Sequence, residues 1–117
     1  EIFPQWQQDI RELATCENVV AKLGGLAMPI NGWGWDQRAT PATSDEIVAA
    51  HSAYYLHTID CFSPARCMFE SNFPVDRLSV SYNVLWNAFK KMTCAFSADE
   101  QHAMFMGNAQ RIYSLQA

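Results

Sequence analysis

Apolar positions in the first part of the chain change from helical to strand spacing. Four of them recur with the helical period: Phe3, Trp6, Ile10 and Leu13. This pattern predicts an amphipathic helix over residues 3–16. The β-branched run that follows, closed by two glycines, predicts a buried strand over residues 18–24. Glycine and proline then interrupt any periodicity and predict a long loop over residues 25–43, of a length that is usually functional or disordered.

The same alternation of helix and strand continues in the second part of the chain. The remaining predicted elements are a helix over 44–62, a strand over 66–72, and helices over 79–95 and 97–115. Thr43 and Glu46 are spaced to form a capping box at the start of the first of these helices. Ser97 and Glu100 have the same spacing at the start of the last helix, which we expect to break near Gly107.

This order of elements is the βα alternation that forms parallel sheets with crossover helices. The chain has 117 residues, half of them hydrophobic, which is enough for one core and too little for two. Two parallel strands leave hydrogen-bonding edges and an apolar face uncovered, which is unstable in water. The pattern therefore predicts an α/β fold, a single incomplete segment in which further strands or self-association complete the sheet.

Composition argues against several classes of partner. The net charge is -4 and the basic residues are scattered, so we expect no nucleic acid and no anionic membrane as partners. No apolar run approaches the roughly 18 residues that a membrane-spanning helix needs. The first residues lack the basic region and cleavage site of a signal peptide. We therefore expect a cytoplasmic location.

The cysteines have no spacing that favours a metal or redox motif. They lie far apart in mostly apolar segments: Cys16, Cys61, Cys67 and Cys94. Because cysteine packs as a small hydrophobic residue, we predict buried free thiols. Two disulfides are the alternative if the protein is secreted.

Three stretches resemble the closing part of the amidohydrolase 2 family, a group of TIM-barrel hydrolases that includes lactonases and decarboxylases. They are NVVAKLGG at 18–25, RCMFESNFPVD at 66–76 and NAQRIY at 108–113. Their order and spacing match the family over essentially the whole chain. The middle stretch is the most specific, because a strand of this type followed by a Ser-Asn-Phe-Pro turn rarely arises by chance.

The resemblance implies the C-terminal quarter of a (β/α)8 barrel, with strands 7 and 8 and their flanking helices. It also implies a metal-dependent hydrolase acting on a lactone, amide or related small carbonyl compound. The family's metal ligands lie on strands 1, 5, 6 and 8, and the first six strands are absent here. We therefore expect a divalent metal only in a longer parent and none in this chain alone. As a separate chain, the segment could also be repacked or oligomeric.

The candidate catalytic residues follow the second strand, at the end where TIM-barrel enzymes hold their sites. Asn72 stands where the resemblance places the family's aspartate, and an amide is a weak ligand that cannot act as a general base. Glu70 lies two residues earlier on the same strand face. A buried Glu70 needs a partner, and Lys22 on the other strand is the candidate, assigned to substrate binding. The alternatives are a turn-capping Asn72, and solvent-exposed Glu70 and Lys22 side chains. Asp76 is expected to be a turn residue or an N-terminal helix residue that favours the helix dipole.

The long loop and the histidines complete the set of candidates. Trp33 and Trp35 are placed to form an aromatic wall for a small substrate, or else a lid that packs on the core. His51 and His57 are six residues apart and His102 lies on another helix, so their spacing builds no metal site. We expect surface or packing roles for all three.

Two functions therefore remain open. In the first, the chain is the closing part of a hydrolase, whose partners are its carbonyl substrate and the remainder of the barrel. In the second, it is a free-standing, non-catalytic fragment that forms a homo-oligomer through its uncovered strands.

Overall fold

The computed structural model describes residues 2–28 and 31–114, in which helices dominate. The α-helices are α1 (Ile2–Ala14), α2 (Ser44–Phe62), α3 (Tyr82–Met92), α4 (Ala98–His102) and α5 (Asn108–Ile112). The strands β1 (Ala21–Leu23) and β2 (Cys67–Phe69) are neighbours in a two-stranded sheet. Short 3-10 turns lie at Trp35–Gln37, Pro64–Arg66 and Val75–Leu78. No helix of these residues combines the length and apolar character that a membrane span requires.

Both strands are shorter than their sequence patterns predict. The segment predicted as strand 18–24 begins with a turn, in which the Val19 amide donates to the Cys16 carbonyl at 3.0 Å, so only three residues extend. The segment predicted as strand 66–72 loses its first residue to a 3-10 turn. At its other end, Asn72 has a φ of 54°, which is incompatible with strand geometry.

The last two predicted helices also differ from the structure: the first is shorter than predicted, and the second is divided. The helix predicted over 79–95 spans Tyr82–Met92, because the Ser81 hydroxyl caps its first turn by accepting from the Val84 amide. The helix predicted over 97–115 contains a π-helical turn at Ala103–Gly107, at the place where a break was expected. Its last residue, Leu115, lies outside the described residues, as do residues 29 and 30 of the predicted loop.

The chain forms two compact units. Within the described residues, the first unit comprises 2–23, 53–68 and 96–114, and the second comprises 24–28, 31–52 and 69–95. Unit 1 buries Ala14, Leu23, Tyr55, Ile59, Phe62, Cys67, Met68 and Met104. Unit 2 buries Ala27, Trp35, Ala42, Ile47, Phe69, Val80, Leu85, Ala88, Phe89 and Met92.

Two polar side chains organise unit 1 by binding backbone carbonyls. The Arg66 guanidinium donates to four of them, those of Ala14, Cys16, Val19 and Phe62, at 2.8–3.1 Å. The carbonyls of Ala14 and Phe62 belong to the last turns of α1 and α2, which lack partners within their own helices. Asn108 is buried and its Nδ2 donates to the carbonyls of Pro64 (2.6 Å) and Cys67 (2.7 Å).

In unit 2, hydrogen bonds join the segments that follow the two strands. The Ser79 hydroxyl donates to the Ala27 carbonyl at 2.6 Å, and the Ala42 amide donates to the Ser79 carbonyl at 3.3 Å. In the same unit, the rings of Phe69 and Phe89 stack with their centroids 4.5 Å apart. Ser79 thus fixes the loop after β2 against two points of the loop after β1.

The cysteines are free, as predicted, but they are not all buried. Cys67 is buried and Cys61 is half-buried, whereas Cys16 and Cys94 are exposed. The prediction was wrong for the last two because both follow the end of a helix, where an apolar neighbourhood in sequence does not provide a core in space.

Candidate active site

A polar cluster forms where the chain leaves β2, in unit 2. It consists of Glu70, Asn72 and Asp76. The backbone turns here because Asn72 takes up a left-handed conformation, with φ of 54°, which asparagine tolerates better than most residues. The Asp76 amide then donates to the Asn72 carbonyl at 3.0 Å and closes the turn. The turn therefore brings the Asn72 and Asp76 side chains together.

Asp76 is the buried carboxylate of the cluster, with only 1% of its surface exposed. Its Oδ1 accepts a hydrogen bond of 2.8 Å from Nδ2 of Asn72. Burial raises the pKa of the Asp76 carboxyl above its usual range; the hydrogen bond from Asn72 opposes the rise, and the charge of Glu70 adds to it. The site therefore holds two mutually repelling carboxyl groups with one amide bound to the deeper of them.

Glu70 lies directly against the backbone of Gly24. A Cβ at Gly24 would overlap Cγ of Glu70 and would lie 2.7 Å from the Glu70 carbonyl oxygen. Gly24 is therefore required for close approach of the backbone. Its neighbour Gly25 has a φ of 87°, and a Cβ there would lie 3.6 Å from Nδ2 of Asn72. The two glycines seen in the sequence thus form one wall of the polar cluster.

Trp33 and Trp35 lie in a second cluster of the same unit, with His51 of α2. The two indoles stack with centroids 5.7 Å apart, and each lies 5.0–5.1 Å from the imidazole. Burial lowers the pKa of His51 to about 4, so the ring is neutral at physiological pH. The three rings therefore pack against one another, as expected for the alternative of a loop that packs on the core. A substrate-binding role for the two tryptophans stays a prediction.

Lys22 belongs to unit 1, where its side chain is exposed. Its Nζ lies 5.9 Å from the centroid of the Tyr113 ring, within cation–π range. Glu70 belongs to unit 2 and is half-buried. The pairing of Lys22 with Glu70 stays a prediction.

The donor set at the end of β2 does not by itself fit a catalytic metal. Across residues 2–28 and 31–114, no group of three or more His, Cys, Asp or Glu side chains is arranged to hold a metal ion. Asn72 directs its amide nitrogen at Asp76, and a protonated nitrogen is not a ligand. Any metal would need ligands beyond this set.

Sequence reasoning missed the burial of Asp76. The sequence predicts a turn or N-terminal helix residue at Asp76, and Asp76 does lie in the 3-10 turn Val75–Leu78. The available signal was the spacing of Asn72 and Asp76, four residues apart across a proline turn, which places both side chains on one side. Burial of Asp76 depends on the fold around it, which local spacing does not reveal.

The cluster offers two chemical capabilities. Glu70 is half-buried, and a carboxylate side chain can accept a proton. Asn72 can accept a hydrogen bond at Oδ1 while Asp76 occupies its amino group. Together they suit the binding of a polar molecule and the removal of a proton from water.

Comparison with known proteins places these features in a family. The family model described as Amidohydrolase matches residues 1–115. An uncharacterized protein, y4mH, from Sinorhizobium fredii is 39% identical over 95% of this chain and 33% of its own length. An L-fucono-1,5-lactonase from Burkholderia multivorans is 32% identical over 95% of this chain and 36% of its own length. The chain therefore spans about a third of the curated relatives that it matches.

Solved structures give the same result for the fold. A crystal structure of an amidohydrolase from Burkholderia multivorans with bound zinc matches with a TM-score of 0.81 and 30% identity, covering 97% of this chain and 38% of that one. A second crystal form with bound HEPES matches with a TM-score of 0.82 and 29% identity, covering 97% and 37%. The fold is an α/β fold similar to part of these proteins, and the chain belongs to the amidohydrolase family.

Proposed function

We propose that this chain is the closing part of an amidohydrolase barrel, carrying its strands 7 and 8, and that it contributes Glu70 and Asn72 to a site that hydrolyses a carbonyl compound. The similarity to the zinc-bound amidohydrolase, over 97% of this chain and 38% of that one, supports the proposal most strongly. In barrels of this type the chemistry lies at the carboxyl ends of the strands, and the polar cluster follows β2 at that end.

Hydrolysis of a carbonyl compound requires that water lose a proton as it attacks the carbonyl carbon. Within the polar cluster we assign this role to Glu70, because Glu70 is half-buried whereas Asp76 is fully buried and bound to Asn72. Asn72 orients the substrate by hydrogen bonding at Oδ1. A divalent metal in the complete protein would require ligands from other parts of the barrel, since the described residues of this chain do not supply a set.

A lactone is the first substrate class to test. The support is the similarity to an L-fucono-1,5-lactonase, which is 32% identical to this chain. Amides and related carbonyl compounds are the second class.

The test uses the full-length protein encoded by this reading frame, assayed against sugar lactones, simple lactones and amides, with metal content determined on the same sample. Hydrolysis of one class is expected. Glu70→Gln should lower kcat by about 100-fold or more, because it removes the proton acceptor while preserving shape. Glu17→Gln, at an exposed glutamate of unit 1, is the matched control and should leave kcat unchanged. Inertness toward all three classes, or full activity in Glu70→Gln, would contradict the proposal.

A second candidate is a non-catalytic chain that self-associates. Several large apolar side chains are exposed, among them Ile2 at 86% and Leu78 at 66%. In the described residues, each of the two strands has one neighbour, so each keeps one edge without a strand. Light scattering on the full-length protein distinguishes the candidates: a homo-oligomer that lacks hydrolase activity and dissociates in Leu78→Glu favours self-association.

A further inference from the structure

The amide of Asn72 is bound by the protein at one end. Its Nδ2 donates to Oδ1 of Asp76 at 2.8 Å. Among residues 2–28 and 31–114, none donates a hydrogen bond to Oδ1 of Asn72. A carboxylate accepts hydrogen bonds and cannot donate them, so its partner must be the amino end of the amide. The planar amide then directs Oδ1 away from Asp76.

Asp76 itself is held firmly. Its amide donates to the Asn72 carbonyl at 3.0 Å, and its carbonyl accepts from the amides of Ser79 and Val80 at 2.9 and 3.0 Å. The side chain has 1% of its surface exposed, so it has no room to change rotamer freely. The buried carboxylate therefore holds the Asn72 amide in one orientation, and it is too deeply buried to contact a substrate.

We propose that Asp76 is a positioning residue, which holds the Asn72 amide with Oδ1 outward so that Asn72 binds a hydroxyl group of the substrate. This inference rests on the proposed function and specifies its substrate class: a polyhydroxylated lactone is preferred over an unsubstituted one. An outward carbonyl oxygen binds donors, and a sugar lactone carries hydroxyl donors beside its ring carbonyl. An unsubstituted lactone offers acceptors alone and gains nothing from this contact.

The experiment measures a substrate preference in the full-length protein. The preference is the kcat/KM for a sugar δ-lactone divided by that for δ-valerolactone, which has no hydroxyl groups. Asp76→Asn should lower it, by at most the tenfold value of one hydrogen bond of about 1.4 kcal/mol, because an amide at this position can donate or accept and no longer fixes Asn72. Asp60→Asn, at an exposed aspartate of α2, is the matched control and should leave the preference unchanged.

A double-mutant cycle separates positioning from general loss of structure. Asn72→Ala should lower the preference at least as far as Asp76→Asn does, and the double variant should fall no further than Asn72→Ala. An unchanged preference in folded Asp76→Asn overturns the inference. A further fall in the double variant also overturns it, because Asp76 would then act through something other than Asn72. Loss of a contact to a metal would lower both kcat/KM values together and leave the preference unchanged.

A second readout does not depend on activity. In the NMR spectrum of the wild-type protein, one side-chain amide proton of Asn72, assigned with Asn72→Ala, should be shifted and protected from exchange by its bond to Asp76. An unprotected amide overturns the inference, whether or not the protein is an enzyme. A protected amide in a protein that hydrolyses neither lactone upholds the positioning role, and it is then the proposed function and the substrate class that fail.

Discussion

The two units use polar side chains in different ways. In unit 1, Arg66 and Asn108 donate hydrogen bonds to backbone carbonyls, including that of Ala14 in the last turn of α1. In unit 2, Asn72 donates to Asp76, and Glu70 repels the same carboxyl group, so polar side chains interact with one another. The first arrangement stabilises a backbone. The second leaves acceptor capacity at Asn72 and a carboxylate at Glu70, which is what a binding site requires.

This difference predicts where substitutions affect stability and where they affect function. Removing a donor that binds buried carbonyls leaves those carbonyls unpaired. Each unpaired buried carbonyl lowers the free energy of unfolding by roughly 1–3 kcal/mol. A side chain that serves a substrate contributes little to folding.

Arg66→Ala should lower the free energy of unfolding by about 3–4 kcal/mol, because four carbonyls lose one charged donor together. Arg66→Lys should recover a part of this loss, since an ammonium group cannot reach all four sites at once. Urea unfolding followed by circular dichroism measures the change. Arg77→Ala, at an exposed arginine of unit 2, is the control. Equal stability of the Arg66 and Arg77 variants would show that Arg66 does not stabilise the backbone of unit 1.

Asn108→Ala should lower the free energy of unfolding by about 2–3 kcal/mol, because the carbonyls of Pro64 and Cys67 lose their partner in a buried environment. The matched control is Asn87→Ala, at an exposed position of α3, where alanine favours the helix. Thermal and urea unfolding of both variants provide the measurement. A loss below that of the control would show that Asn108 does not support the backbone.

Burial of His51 in unit 2 should make the free energy of unfolding sensitive to acid. Burial lowers the pKa of His51 from 6.5 to about 4, so between these values the unfolded chain binds more protons than the folded protein. The stabilisation is complete above about pH 6.5 and is lost as the pH falls toward 4, by about 3 kcal/mol. His51→Phe should remove this part of the pH dependence in urea titrations, whereas His102→Gln, at an exposed position, should keep it. An unaltered slope in His51→Phe would refute the assignment.

Gly24→Ala should lower the free energy of unfolding by about 1–2 kcal/mol, because the added methyl group overlaps the Glu70 side chain and crowds its carbonyl oxygen. The double variant Gly24→Ala with Glu70→Ala should recover part of the loss, since the side-chain overlap is relieved and the carbonyl contact remains. Differential scanning calorimetry compares the two. Full stability of the single variant would mean that Gly24 is not required for close approach.

Local features of the structure could be predicted from the sequence. Both capping boxes are present: the Thr43 amide donates to Oε1 of Glu46, and the Glu46 amide donates to the Thr43 hydroxyl. The box of Ser97 and Glu100 has the same two bonds. Such pairs depend on three-residue spacing alone, so the sequence determines them. The helix predicted over 44–62 starts at Ser44 for the same reason, and it ends at Phe62, two residues before Pro64.

Features that depend on distant residues could not be predicted. Cys16 and Cys67 both lie near apolar runs, and the tertiary fold exposes the first and buries the second. The role of Arg66 was not foreseen, because three of its four carbonyl partners are 47–52 residues away. Asp76 was missed because its burial arises in the tertiary fold. The residues of the candidate site were found by resemblance, and their geometry required the structure.

The most direct test of the account is the native mass of the protein purified from its source cells, with metal content measured on the same sample. We expect a polypeptide as long as the relatives, of which this chain spans 33–36%, containing a divalent metal. A homo-oligomer of metal-free 13.2 kDa chains would contradict the proposal that these residues close a hydrolase barrel.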